Sequence, residues 1–139
     1  MFNRILVPVD LSDHSLGAVD LARELAAQFQ AEVILLHVIE TIEHVEFDEL
    51  KTFYERLENS ARKRLEEFSE RFAANEMRVD QVIVYGHRTR EIIAYAAANR
   101  VDLIIMSSHR IDPDRPGHEW ASISYAAAIL SPCPVLLVK

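Results

Sequence analysis

Short β-branched runs alternate with longer helical patterns along this chain, and that alternation predicts an α/β domain on an open, parallel five-stranded sheet with helices on both faces. Four of the five short runs are nearly continuous in apolar residues, as strands covered on both sides require. No repeat, low-complexity tract or linker interrupts the 139 residues, so residues 1–139 read as a single domain.

The first run, Arg4 to Val9, ends in a carboxylate at Asp10. Ser12 then supplies a cap for a helix in which Leu16, Val19, Leu25 and Phe29 fall near one face. Glu32 to Val38 is the second strand. A long helix from about Glu46 to Asn75 follows, with Leu50, Phe53, Leu57, Ala61, Leu65, Phe68 and Phe72 on one stripe. Its other faces carry charges such as Glu55, Glu58, Arg62 and Glu66, a solvated surface with i,i+4 pairs. Val79 to Tyr85 is the third strand, and the next helix runs through Ile92, Ile93, Ala96 and Ala97. Leu103 to Met106 is the fourth strand. A last helix, from about Ser122 to Leu130, stops before Pro132, and Val135 to Val138 closes the sheet.

Right-handed crossovers place ligands of such sheets outside the carboxyl ends of the strands, where strand order reverses. The segments to inspect are therefore Asp10–Ser12, His37–Glu40, Gly86–Arg90 and Ser107–Ala121.

Charged residues make up 27% of the chain, the net charge is −7 and the pI about 5.3. An acidic balance argues against a general nucleic-acid binder and against docking on anionic membranes. The apolar run at the start is too short for a signal peptide or a span. Cys133 is the single cysteine, which excludes an internal disulfide framework; between Pro132 and Pro134 it reads as a buried structural thiol. A cytoplasmic protein is the expectation.

Asp10 either accepts hydrogen bonds from a ligand or satisfies backbone N–H groups of its own turn; the residues alone leave both readings open. The fold gathers His14, His37, His87 and His109 toward one edge, yet no pair has the helical spacing of a zinc site, so no metal is assigned. His37 reads as a strand-end residue hydrogen-bonded to a neighbouring loop. Arg88 and Arg90, at a helix start, offer a second anion contact or a solvated surface. Trp120 reads as packing. No G-x-S-x-G elbow, intact P-loop or Cys–His pair is present, so no catalytic residues are assigned and the protein is not expected to be an enzyme.

Ile5-Leu6-Val7-Pro8-Val9-Asp10-Leu11-Ser12 resembles the opening strand and turn of the universal stress protein family. Further similarities follow in order: Val33 to Val38, Gly86 before Glu91-Ile92-Ile93, Val101 to Met106, and Ser131-Pro132-Cys133-Pro134-Val135-Leu136-Leu137-Val138. The resemblance spans essentially the whole chain. It implies strand order 3-2-1-4-5, a dimer through the last strand (Val135–Val138) and a role in surviving stress.

One branch of that family binds ATP through a loop G-x-x-G-x9-G-[ST], whose glycines let backbone N–H groups approach phosphate. Here the glycine positions hold Ser107, Arg110 and Ala121, followed by a matching Ser122, and the spacing is one residue too long. Each replacement adds a Cβ where the backbone must come close. Arg110 and Arg115 would have to replace the lost donors, against Asp112 and Asp114. The leading expectation is thus a dimeric, cytoplasmic binding module without an intact glycine-loop site, acting through an unidentified protein partner. The alternative is an adenine-nucleotide (ATP, ADP or AMP) module: Val9 and Val38 frame the base, Asp10 contacts the nucleoside, and Ser107, Arg110 and Ser122 hold phosphate. A weak nucleotide hydrolase is the third reading.

Overall fold

The computed structural model describes residues 1–108, 114 and 123–139. Strands β1 (Arg4–Pro8), β2 (Glu32–Glu40), β3 (Val79–Gly86), β4 (Leu103–Ser107) and β5 (Val135–Val138) pair in parallel, in the order β3-β2-β1-β4-β5. Between them run α1 (Leu16–Phe29), α2 (Lys51–Glu70), α3 (Arg88–Ala98) and α4 (Ile123–Leu130). The fold class and strand order are those expected.

Alternate residues of each strand feed two cores. Ile5, Val7, Val33, Leu35 and Ile105 meet α1 and α2 through Val19, Ala22, Leu65 and Phe68. Leu6, Ile34, Leu36, Ile104 and Met106 meet α3 and α4 through Ile92, Ala96 and Ala127. Because both faces are covered, the period of two is hidden and the strands read as continuous apolar runs. Each fully buried Ile or Leu contributes about 1.5–3 kcal/mol. Register at the sheet centre is fixed by Asp102, whose carboxylate accepts from the backbone N–H of Asn3 at 2.8 Å and of Arg4 at 3.0 Å. That clamp sets Ile5 opposite Leu103.

Four expectations need correction. The long helical stretch is divided: a 3-10 turn at Phe47–Leu50 precedes α2, and another at Ala73–Asn75 follows it. Within α2, Phe53 and Leu57 are exposed, and Tyr54 is the buried residue. Tyr54 wins because its hydroxyl has a partner, accepting from the Ile42 N–H at 2.9 Å. His37 does not close β2, which runs three residues further to Glu40. Cys133 is only half-buried, at the rim of the α3/α4 core, with Sγ 3.5 Å from Ser131 Oγ. No helix among the described residues is long and apolar enough to cross a membrane.

Candidate functional site

A cleft of about 340 Å3 opens at the carboxyl ends of the strands, where β1 and β4 diverge. Such a position is where doubly wound sheets take ligands. Its apolar walls come from Val9, Leu36, Val38, Ile92 and Met106, and its polar rim from Asp10, His14, Ser15, Arg88, Ser107 and Ser124.

The turn after β1 is built by Asp10. Its Oδ1 accepts from the Ser12 N–H at 3.0 Å, the Ser12 hydroxyl at 2.7 Å and the Ser15 hydroxyl at 2.9 Å. Ser15 Oγ in turn accepts from the Asp10 N–H at 3.1 Å. Burial opposes the charge, but the bonds from Ser12 and Ser15 and the nearby His14 outweigh it and hold the carboxyl below its ordinary value. Asp10 is therefore an anion at neutral pH. All three bonds converge on one oxygen, and the residue also lines the cleft. Leu11, at φ 72°, turns the chain sharply there. Arg64 of α2 secures the turn from below, donating to the Leu11 carbonyl at 2.9 Å and pairing with Asp13.

Val9, Asp10, Val38 and Ser107 line this one cleft. Arg110 and Ser122 lie outside the described residues, as do His109, Trp120 and Ala121. Ser107 Oγ donates to the His14 carbonyl at 2.8 Å, tying the end of β4 to the start of the first helical turn. The buried Ser124 hydroxyl donates to Ser108 Oγ at 3.2 Å. Arg88, the first residue of α3, stands at the far end of the cleft with Nε 3.9 Å from a Glu40 carboxylate oxygen.

Sequence reasoning missed Ser15, Ser124, Ile92 and Met106. The last two were available from the strand and helix periods, since Met106 shares the parity of Ile104 and Ile92 begins the apolar stripe of α3. His14, His37 and His87 lie toward the carboxyl edge of the sheet as expected, but they do not converge on the cleft. His14 reaches the cleft, whereas His37 has the parity of Val33 and Leu35, on the α1/α2 face. Its Nδ1 donates to the Val9 carbonyl at 2.8 Å, and burial, aided by Arg88, pushes its pKa down. His87 caps α3. Among the described residues no three His, Cys, Asp or Glu side chains form a metal-sized group.

The chain matches the model of the Universal stress protein family over residues 1–139. It is 31% identical over 153 residues to the universal stress protein YxiE of Bacillus subtilis (strain 168), covering 100% of both chains. Among solved structures, universal stress protein UspA from Lactobacillus plantarum superposes with a TM-score of 0.80 at 22% identity, covering 99% of this chain and 98% of that one. A universal stress protein solved in complex with cAMP superposes at 0.75 with 20% identity, covering 99% and 97%. At those identities the two structures speak for the fold alone. With a match across its full length and a relative of this similarity, the chain belongs to the universal stress protein family.

Proposed function

We propose that this protein is a dimeric, non-catalytic stress-response module whose strand-end cleft binds an adenine nucleoside monophosphate. The observation that carries the reading is the apolar slot of Val9, Val38, Ile92 and Met106 beside the fixed carboxylate of Asp10, which suits a flat base next to a hydroxyl-bearing sugar. The similar protein that holds cAMP supports the same class of ligand. A monophosphate is favoured over ATP because a triphosphate draws on many backbone donors in a glycine loop. At the first of those glycine positions this chain has Ser107, whose hydroxyl is committed to the His14 carbonyl. Binding without turnover is supported by the hydroxyls of the cleft: Ser107 donates to a carbonyl, and the carboxylate that accepts from Ser15 has its pKa held low and accepts two more bonds from Ser12 on the same oxygen, which makes it a poor base. A cytoplasmic site of action rests on the single cysteine.

Isothermal titration with AMP, cAMP and ATP, with and without Mg2+, tests the nucleotide reading. AMP is expected to bind with micromolar affinity, about tenfold or more tighter than ATP, a difference of roughly 1.4 kcal/mol. Asp10→Ala is expected to weaken AMP binding by about tenfold, whereas Asp10→Asn, which keeps the turn's acceptor, separates loss of charge from loss of the turn. No heat with any nucleotide would sink the reading, and nucleotide conversion in the same samples would make the protein an enzyme.

The dimer is proposed through β5. One edge of β5 pairs with β4, and around it Leu136, Leu130 and Ile129 are exposed, Ile129 at 80%. An apolar edge strand of this kind is normally covered. Sedimentation equilibrium should give twice the 15.9 kDa chain mass, and Leu136→Lys combined with Ile129→Lys should give the monomer. A wild-type monomer at micromolar concentration would refute this interface.

A further inference from the structure

The opposite edge of the sheet carries a second apolar surface that neither the cleft nor β5 uses. It is centred on Tyr54. Phe47 stacks on the Tyr54 ring at 4.9 Å with 10° between planes, and Tyr85 of β3 meets both rings edge-on at 5.5 and 5.7 Å. Phe53 lies 5.6 Å from Tyr54, and the Ile42 N–H donates to its hydroxyl. Burial and Glu58 push the Tyr85 hydroxyl up to about 12, so it remains a neutral donor to that carboxylate, at 2.7 Å. Ring contacts and two hydrogen bonds thus tie the platform together. Yet its outer members face solvent: Phe47 is 48% exposed, Ile42 47% and Phe53 45%.

Its surroundings are acidic. From Glu40 to Glu58 the chain has seven acidic residues and two basic ones, Lys51 and Arg56, so this stretch holds most of the protein's net charge of −7. Glu43, Glu46, Asp48, Glu49 and Glu55 are all exposed. A contiguous apolar patch with a polar rim marks an interaction surface, and the sign of the rim selects the partner. A second copy of this chain is disfavoured, since a two-fold contact would set the acidic rim against itself. Anionic lipid is disfavoured for the same reason.

We propose that the Tyr54 surface docks a basic amphipathic helix of a protein partner. The helix would lay its apolar face on Phe47 and Phe53 and its Lys or Arg residues against the flanking carboxylates. The proposal is independent of the nucleotide reading.

Fluorescence anisotropy with a labelled Lys/Leu peptide of about 18 residues, its leucines at i, i+3, i+4 and i+7, provides the test. An isomer of the same composition with its leucines scattered is the charge control. At physiological salt the amphipathic peptide is expected to bind about tenfold or more tighter than its isomer. Phe53→Ser and the double change Glu46→Lys/Glu49→Lys should each weaken it by about threefold or more, with circular dichroism unchanged. Equal binding of the two peptides, or indifference to both variants, overturns the proposal. So does a dimer that dissociates on Phe53→Ser, which would put a second copy on the patch. Binding to phosphatidylserine vesicles lost with Phe53→Ser would put lipid there and overturn it equally.

Discussion

Phe68→Ala is expected to lower the unfolding free energy by about 3–5 kcal/mol, a large part of the 5–15 kcal/mol that holds a typical domain folded. Phe68 is 1% exposed in the core between α1, α2 and the sheet, so truncation leaves a cavity that the β-sheet cannot collapse to fill. The effect should extend to the cleft. The Arg64 guanidinium lies over the Phe68 ring, 4.4 Å from its centroid, while its Nε donates to the Leu11 carbonyl and its far nitrogen pairs with Asp13. Removing the ring frees Arg64 and loosens the turn that aims Asp10. Urea denaturation should show a lower midpoint with an unchanged slope. AMP affinity of the variant, measured well below that midpoint, should fall as well, and Phe68→Leu should restore most of both. A midpoint like that of the parent would show that this core does not govern stability.

Gly86→Ala is expected to cost about 1–3 kcal/mol for backbone strain alone, with steric conflict added. Gly86 ends β3 at φ +148°, a conformation nearly reserved for glycine. A Cβ there would stand 2.6 Å from Glu91 Oε1 and 2.8 Å from Glu91 Cγ. The carboxylate can swing aside; the γ carbon, close to the α3 backbone, has less freedom. Two residues on, Arg88 begins α3 and lines the cleft, so the change should weaken nucleotide binding along with stability. Gly17→Ala is the internal control. Its Cβ would meet Val138 Cγ1 at an ordinary 3.4 Å, and inside α1 alanine is the better helix former by about 1 kcal/mol. Opposite shifts of the melting temperature in the two variants would support the argument. A parental melting temperature for Gly86→Ala would contradict it.

The strands were legible because a parallel sheet buried on both faces leaves an unmistakable apolar run at Ile5–Val7, Val33–Leu36 and Leu103–Met106. From the fold, the strand-end rule led to the segments that hold Asp10, Val38 and Ser107, whereas Val9 came only with the nucleotide alternative that the family resemblance implied. What it could not supply was the choice between two roles for Asp10, because that depends on the return of Ser15 from five residues away. Tyr54 was left off the helical stripe because neighbouring helix positions differ by about 100° and Phe53 is the more apolar of the two. A hydrogen bond from the loop at Ile42 reversed that order, and no periodicity reports it. His37 was placed too late in its strand because Ile39 and Glu40 extend the β2 ladder opposite Tyr85 and Gly86.

Sheet order has one more effect. With β3 and β5 at opposite margins, the dimer proposed at β5 would be a single sheet of ten strands whose outermost members are the two β3 strands. Nine inter-strand steps of about 4.8 Å set those margins roughly 43 Å apart. Each margin would display one Tyr54 platform, so such a dimer would be a two-handed connector. A partner with two suitable helices on a tether that spans this distance would gain avidity from the second contact, and a tether too short to span it would gain none. Dissociating the dimer would then release such a partner without touching either platform.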